Sequence, residues 1–436
     1  MVKLKRLKIL KFRSLRPGTE LFFRDSSNIL LGKNGTGKTT LLNLIASLLS
    51  WDFSALPTEA FSIEYELASV DTLLDIRLEK RERPSPISGL AVGTHSPIRE
   101  VLEAASTTSS SNHDILWQIC VKNPDPSTAY TINTSDHEIK IQTPSGEIYE
   151  YQNKFSIKTR APWVSTFVAL GKTEGAEPIT KILVSFLSDS ILHMVRFDES
   201  LERLAQLTSA PKLFSATREE DGEYAFHPSQ STPPSFREAT SHTLSRNPDA
   251  DEIRIQSGEQ GGEFLDRPRR LCGFQSALCL IQRTARVTGA SETIDFGNLR
   301  FDFVLRDNSV INHHHLSYGQ KRLFSFYYYL ACNPTVVVAD ELVNGMHHDW
   351  IEACLDDLGD RQSFLTSQNP LLLDYLSFES ASEVQSSFVL CRNDEQGDHD
   401  QLTWENMSSD DAQGFFDAYQ VGLQHVSEIL RTRGLW

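Results

Sequence analysis

Gly32-Lys33-Asn34-Gly35-Thr36-Gly37-Lys38-Thr39 decides the fold of this chain, because it matches the P-loop pattern G-x-x-x-x-G-K-[ST] in full. An apolar stretch, Ile29 to Leu31, precedes the loop, and an apolar helical pattern, Thr39 to Leu49, follows it. Glycines let backbone N–H groups turn inward around phosphate oxygens, and the following helix adds its partial positive charge. The pattern predicts an α/β fold of the P-loop NTPase class.

The same loop predicts roles for single residues. Lys38 is expected to reach the β- and γ-phosphates of ATP, and the Thr39 hydroxyl is expected to bind Mg²⁺. The predicted nucleotide contacts of the loop are Gly32, Asn34, Gly35, Thr36, Gly37, Lys38, Thr39 and Thr40.

Val336-Val337-Val338-Ala339-Asp340-Glu341 indicates a buried strand that delivers two carboxylates to its tip. Asp340 is predicted to hold Mg²⁺, directly or through water. Glu341 is predicted to act as the general base on the attacking water. Alone, such a run is weak evidence for a nucleotide site. Together with the P-loop it indicates the usual Walker B arrangement.

Leu316-Ser317-Tyr318-Gly319-Gln320-Lys321-Arg322 precedes that strand and opens a helix. Ser317 is a natural N-cap, Gly319 keeps the backbone approachable, and such a helix start can bind a γ-phosphate. The segment resembles the L-S-x-G-Q signature of ABC ATPases. The resemblance implies that Ser317, Gly319 and Gln320 of one chain contact ATP held by Lys38 of another. It thereby implies a homodimer, or a higher even oligomer, through the ATPase heads.

Three further segments resemble the non-transporter branch of the ABC ATPases, namely the SMC, RecF and OLD-like proteins. They are Leu7 to Leu15, with a Phe-Arg-Ser core, Asn344 to His347, and Thr366 to Asp374. The resemblance covers about residues 1–80 and 295–380 and implies that Arg13 contacts the nucleotide. It also aligns Gln368 with a switch histidine. Glutamine can donate a hydrogen bond but carries no charge, so ATP turnover is expected to be slow or partner-dependent.

Charge and composition limit the possible partners. The net charge of -16 disfavours indiscriminate nucleic-acid binding, yet residues 1–50 hold ten Lys and Arg against two acids. That basic face either meets a phosphate backbone or is the solvent side of one strand. No apolar run is long enough for a membrane span, and the basic N-terminus does not resemble a signal peptide. Six scattered cysteines without a C-x-x-C pair indicate a reduced, cytoplasmic protein.

The chain is predicted to divide into three parts. Residues 1–170 form the N-terminal part of the ATPase head, with the P-loop and a β-rich lobe. Residues 171–294 form a helical and irregular insertion, irregular over 215–268 and helical over 270–287. Residues 295–436 form an α/β C-terminal part of the head, with a strand over 299–311. A last helix is predicted to begin near Ser408 and to carry apolar residues from Phe415 to Leu430 on one face.

Other polar residues are weaker candidates. Gln152 follows a strand pattern and is the best candidate for a Q-loop glutamine. His313-His314-His315 suggests a metal site, but adjacent histidines on a strand point to opposite faces. His347, His348 and Asp349 are expected near the dimer face, where partner contact and plain surface chemistry both remain open.

Several classes of function share these motifs. A transporter is disfavoured by the Phe-Arg-Ser start and the long insertion, and no nuclease site is recognised in the chain. The favoured prediction is a sensor or regulatory ATPase of a prokaryotic anti-phage defence system that gates a separate effector, such as a nuclease. The alternative is a RecF- or SMC-like ATPase of recombination or repair that binds double-stranded DNA. A module that holds ATP without cycling it is a third possibility.

Overall fold

The computed structural model describes residues 2–51, 53, 56, 60–69, 72–82, 113–122, 129–135, 137–153, 161–190, 197, 202–219, 221–229, 232–289, 291–394 and 401–435. Its strands form three sheets. The α-helices are α1 (Lys38–Ser50), α2 (Ala161–Leu170), α3 (Glu177–Ser190), α4 (Glu202–Ser209), α5 (Pro234–Arg246), α6 (Glu263–Leu271), α7 (Tyr318–Cys332), α8 (His348–Asp356), α9 (Pro370–Asp374), α10 (Ala381–Ser387), α11 (Ser409–Val421) and α12 (Val426–Thr432).

A five-stranded sheet carries the P-loop at its centre, in the order β16-β17-β3-β18-β19. Its first four strands are parallel, and the last joins β18 antiparallel. Parallel strands covered on both faces are buried along their length, as β16 and β17 are. The strands are β3 (Ser27–Leu31), β16 (Val336–Ala339), β17 (Gln362–Thr366), β18 (Phe388–Asp394) and β19 (Gln401–Asn406).

An eight-stranded antiparallel sheet forms the β-rich lobe, in the order β2-β1-β4-β5-β6-β7-β8-β9. Helix α1 shares one apolar core with this sheet and with β16 and β17, so it is enclosed between the two sheets. The strands are β1 (Lys3–Lys11), β2 (Thr19–Phe22), β4 (Phe61–Ala68), β5 (Leu73–Glu82), β6 (His113–Lys122), β7 (Tyr130–Thr134), β8 (Glu138–Gln142) and β9 (Ile148–Gln152). Residues 81–112 are rich in Pro, Ser and Thr and are predicted to form a surface loop; most of them lie outside the described residues.

The third sheet lies largely in the insertion and corrects two predictions. Residues 215–268 are not irregular, and residues 270–287 are mostly a strand rather than a helix. The strands, ordered β11-β10-β14-β13-β12 with β15 paired to β14, are β10 (Phe214–Arg218), β11 (Tyr224–Pro228), β12 (Glu252–Gln256), β13 (Ser276–Thr288), β14 (Glu292–Val304) and β15 (Val310–Asn312). Single buried side chains such as Phe236, Ile253 and Leu265 hold the insertion against α7 in one core. Because polar residues separate them, the sequence shows no periodic signal there.

The C-terminal helix is also shorter than predicted. It begins as expected, since the Ser408 hydroxyl accepts a hydrogen bond from the backbone N–H of Asp411. It ends at Gly422, whose left-handed backbone closes α11, and a separate helix, α12, follows. The apolar residues that were predicted on one helix are therefore divided between two. Among the described residues, no helix is long and apolar enough to cross a membrane.

Candidate functional site

The P-loop joins β3 to α1 through a glycine-rich turn. Gly35 and Gly37 have positive φ angles of 85° and 84°, which glycine adopts without the cost that a side chain imposes. Gly37 is the N-cap of α1, so the loop ends at the positive end of the helix dipole. The ammonium group of Lys38 donates to the backbone carbonyls of Gly32 at 2.6 Å and Lys33 at 3.0 Å. Lys38 is therefore folded onto its own loop.

Neighbouring strands fix the path of the loop. A Cβ placed on Gly32 would lie 2.1 Å from the carbonyl oxygen of Cys391 on β18, so only glycine fits there. The indole N–H of Trp404 on β19 donates to the backbone carbonyl of Thr36 at 3.1 Å. These contacts from the C-terminal third hold the loop that the N-terminal third supplies.

The tip of β16 brings its first acid to the P-loop. The Thr39 hydroxyl donates to Oδ2 of Asp340 at 2.8 Å. The Thr366 hydroxyl, at the end of β17, donates to the other carboxylate oxygen. The carboxyl ends of parallel strands meet at one sheet edge, which explains why residues 39, 340 and 366 converge.

The second acid, Glu341, is buried and has an unusual backbone. Its φ of 52° places a non-glycine residue in the left-handed region, which is rare and costly. Its carboxylate accepts a hydrogen bond from the backbone N–H of Gln368 at 2.9 Å, and its own N–H donates to the Thr366 hydroxyl at 3.0 Å. The Gln368 side chain is exposed. Backbone contacts thus place Glu341 beside the segment that was predicted to replace the switch histidine.

A buried arginine supports this strained residue. Arg322 on α7 is completely buried, and its Nη2 donates to the backbone carbonyl of Glu341. Its guanidinium lies 4.8 Å from the centre of the Phe197 ring, within the range of a cation–π contact. The helix that begins at Ser317 is therefore tied to the acidic tip of β16.

The predicted signature segment caps α7 and faces solvent. The Ser317 hydroxyl accepts from the backbone N–H of Gln320, and the Gln320 side chain accepts from the N–H of Ser317. A Cβ on Gly319 would lie 2.6 Å from the carbonyl oxygen of Gly345, so the turn after β16 packs directly on the helix. No hydrogen bond joins Ser317 to the P-loop among the residues that the structure describes.

Comparison with known families agrees with this geometry. Residues 6–220, just under half of the chain, match a family model described as an AAA domain. The chain is a P-loop ATPase. The match, with the parallel sheet around the P-loop, agrees with the predicted P-loop ATPase and confirms the α/β fold class. A comparison with curated proteins found no significant match.

Solved structures similar to the ATPase include two SMC heads and a recombination protein. The head with an extended coiled coil from Pyrococcus furiosus, bound to the C-terminal domain of ScpA, is 11% identical; the alignment covers 96% of this chain and 100% of that chain, with a TM-score of 0.37. The SMC head from Thermotoga maritima is 10% identical, with 93% and 99% covered and a TM-score of 0.35. The recombination mediator RecF of the RecFOR pathway is 12% identical, with 93% and 98% covered and a TM-score of 0.29. Scores this low describe a distant likeness.

Arg13 lies beside the first turn of α1. Its Nη1 is 3.4 Å from the Thr40 hydroxyl, and its guanidinium lies 5.3 Å from the centre of the Phe12 ring. Its φ of 46° is another left-handed backbone. The structure brings Arg13 to the P-loop helix, and its contact with the nucleotide stays a prediction.

Gln152 is not brought to the P-loop. It lies on β9, the last strand in the order of the eight-stranded sheet. In that order, six strand spacings separate β9 from β1. The position of Gln152 therefore gives no support to a Q-loop role, which stays a prediction.

The two histidine clusters differ in their surroundings. His313 to His315 form a 3₁₀ turn rather than a strand, and His313 is buried with its Nδ1 accepting from the Phe301 N–H at 3.2 Å. Burial, together with the neighbouring His314, lowers the pKa of His313 to about 4. His347, His348 and Asp349 are exposed at the start of α8, and their potential ligand atoms lie within 4.8 Å of one another.

Sequence patterns missed four residues of this site. Trp404 and Cys391 reach it from distant segments and belong to no short motif. Arg322 ends the signature-like segment and Thr366 begins the OLD-like segment, but neither resemblance predicts their contacts with Glu341 and Asp340. The parallel order of β16 and β17 is the one signal that places a residue after β17 beside one after β16.

Proposed function

We propose that the ATPase hydrolyses ATP between two copies of the chain, with Glu341 as the general base. The observation that carries the proposal is the 2.8 Å hydrogen bond between Thr39 and Asp340, which joins the P-loop to the acidic strand tip. Glu341 follows directly, and its carboxylate is held by the backbone N–H of Gln368. A base that is positioned next to the phosphate site can remove a proton from attacking water.

Thr39 and Asp340 are the residues that would hold Mg²⁺. A hydroxyl and a carboxylate oxygen at this separation are hard oxygen donors of the type Mg²⁺ prefers. When bound, the ion neutralises charge on the β- and γ-phosphate oxygens. The Thr366 hydroxyl fixes the second oxygen of Asp340 and so orients the carboxylate.

Lys38 would exchange its present partners for phosphate oxygens. Its ammonium group now donates to two carbonyls of the loop, at Gly32 and Lys33. A doubly charged phosphate is a stronger acceptor than a neutral carbonyl, so the side chain would extend toward the nucleotide. Gly35 and Gly37 would present backbone N–H groups to the same phosphates.

Completion of the site would need a second copy of the chain. Ser317 is exposed, and its helix start faces solvent. A helix N-terminus binds anions, so this surface would close over the γ-phosphate held by the other chain's Lys38. Gln368 supplies an amide where a histidine would carry charge, which favours slow turnover.

The test is steady-state ATP hydrolysis by the purified protein, Lys38→Ala and Glu341→Gln, with the mass of each measured by light scattering. Lys38→Ala is expected to lose ATP binding, whereas Glu341→Gln should bind ATP, lose hydrolysis and accumulate as a dimer. An exposed lysine far from the site, Lys140→Ala, is the control. An ATP-bound Glu341→Gln dimer that lives no longer than the wild-type dimer would contradict the scheme.

For the biological role, we infer a sensor ATPase that gates a separate effector, as in anti-phage defence. Lys3, Lys5 and Arg6 of β1 support this over DNA clamping, because they are engaged within the chain. Lys3 donates to the carbonyls of Asp25 and Asp360, and Arg6 pairs with Glu20 and Glu66.

The DNA-binding alternative is tested by ATPase assays with and without double-stranded DNA. No stimulation at low salt is expected. Stimulation that falls steeply as salt rises would instead indicate phosphate contacts and favour the alternative.

A further inference from the structure

A surface cavity of about 600 Å³ lies between the insertion and α7. Its lining comes from the start of α5, the length of α6, the C-terminal half of α7 and the segment that follows α8. Small-ligand pockets typically have volumes of about 300–1,000 Å³ and combine apolar walls with a few polar groups. The cavity lies outside the P-loop site, and neither the proposed hydrolysis nor the predicted dimer contact uses it.

Three guanidinium groups line this cavity, from Arg267, Arg270 and Arg361. Arg361 is fixed by backbone carbonyls, since its Nε donates to Asn333 at 3.1 Å and its Nη1 to Asp357 at 3.1 Å. Its Nη2 takes part in neither bond. Burial lowers the pKa of Arg361, so an anion nearby would stabilise its charge.

The carboxylates of the cavity already have donors. Oδ2 of Asp357 accepts from Nε of Arg267 at 3.0 Å and from the Tyr327 hydroxyl. Oε1 of Glu263 accepts from the backbone N–H of Gly261 at 3.1 Å. Three guanidinium groups against two carboxylates leave the lining with a net charge of +1.

Arg270 is the most accessible of the three arginines. Its side chain is exposed, and its Nε makes a 3.3 Å bond to the carbonyl of Asp266, one turn back on α6. This bond leaves the two terminal amines of the guanidinium, which form the fork that binds carboxylate and phosphate groups with two parallel hydrogen bonds. The lining also has an apolar wall, which includes Pro233, Phe264 and Leu330.

We propose that this cavity binds a small organic oxyanion about the size of a nucleoside monophosphate. Arg270 and Arg361 hold its phosphate or carboxylate group, and the apolar wall packs against its organic part. Asp357 keeps Arg267 and Tyr327 in place. Tyr327 and Leu330 belong to α7, the helix whose Arg322 contacts Glu341.

The test is calorimetric titration of the full-length Lys38→Ala protein, in which the P-loop no longer competes. The probes are AMP for a phosphate group and citrate for carboxylates. Saturable binding of at least one probe, with a Kd of about 1 mM or tighter, is expected. AMP alone would identify phosphate as the ligand chemistry, and citrate alone would identify carboxylate. Saturation by neither probe overturns the proposal.

Charge reversal locates the binding. Arg270→Glu is expected to raise the Kd about tenfold or more, since it replaces a charge-assisted hydrogen bond by repulsion between like charges. Arg246→Glu, at the exposed end of α5 outside the cavity, makes the same charge change and should leave the Kd unaltered. Equal losses in both variants overturn the proposal.

If Arg270→Glu does not fold, Arg270→Gln removes the charge without reversing it and is expected to weaken binding in the same direction. Because Lys38→Ala already lacks ATP binding, failure here leaves the proposed hydrolysis untouched.

Discussion

The Thr366 hydroxyl at the end of β17 donates a hydrogen bond to the carboxylate of Asp340 at the end of β16. The same oxygen accepts the backbone N–H of Glu341 at 3.0 Å. One threonine thus orients the predicted metal ligand and holds the backbone of the predicted base. Two neighbouring parallel strands make this possible, because their carboxyl ends lie at one edge of the sheet.

Replacement of Thr366 by valine should lower turnover more than ATP binding. Valine keeps the shape but removes both hydrogen bonds, so we expect kcat for ATP to fall about tenfold or more, since each 1.36 kcal/mol is a factor of ten. Measurement of kcat and KM by a coupled phosphate assay checks this. Thr240→Val is the matched control, because it also removes a buried hydroxyl bond, on α5 away from the site. Equal kcat values for the two variants would refute the role of Thr366.

Arg322 is expected to position Glu341 rather than to touch nucleotide. The change Arg322→Met removes the donor to the Glu341 carbonyl while it keeps an unbranched buried side chain. We expect kcat to fall and the affinity for ATP to change little, because the P-loop makes the binding contacts. Single-turnover hydrolysis together with fluorescent-nucleotide binding separates the two effects. Arg322→Lys should restore part of kcat if a donor is the requirement; equal kcat values in the two variants would favour a packing role.

The nucleotide loop could be predicted from sequence because its chemistry is local. Residues Ile29 to Leu31 and Thr39 to Leu49 were predicted as strand and helix, and they lie within β3 and α1. The run Val336 to Glu341 was predicted as a strand that ends in two acids, and its first four residues form β16. In each case the period of apolar residues and the flanking glycines or acids lie within one short window.

The insertion could not be predicted in the same way, because its core forms between distant residues. Phe214 and Phe296 stack at 5.4 Å although 82 positions separate them, and β10 and β14 pair there. The long β13–β14 hairpin contains polar residues that form ion pairs, such as Arg286 with Glu292. Because these residues are charged, the composition of the segment does not indicate strands. The left-handed φ of Glu341 gives no sequence signal either, since it arises from the contacts around it.

Alanine is expected to destabilise the protein at position 32 and at position 35 for different reasons. Alanine at position 32 would place its Cβ 2.1 Å from the carbonyl oxygen of Cys391, so the loop must move away from β18. Overpacking of this kind costs about 1–3 kcal/mol of unfolding free energy. Alanine at position 35 meets no atom within 4 Å, and only its positive φ is costly, at about 1–2 kcal/mol.

Urea unfolding of both glycine variants checks this difference. Gly32→Ala should lose more unfolding free energy than Gly35→Ala, because it adds a backbone clash to the strained φ. Nucleotide protection against unfolding should also be weaker in Gly32→Ala. The interpretation of Gly32 would be wrong if the two variants were equally stable.

His313 should make the ATPase less stable in mild acid. Its pKa is lowered from 6.5 to about 4 by burial and by His314, whereas in the unfolded chain burial no longer acts. Between these values the unfolded chain binds more protons than the folded protein, so the unfolding free energy falls as pH drops from 6.5 toward 4.

Urea unfolding at pH 7 and pH 5 measures this loss of unfolding free energy. His313→Gln, which stays neutral, should lose less stability over this range than wild type. His242→Gln is the control, because that exposed side chain is not desolvated on folding. An unchanged pH dependence in His313→Gln would mean that other groups cause the acid sensitivity.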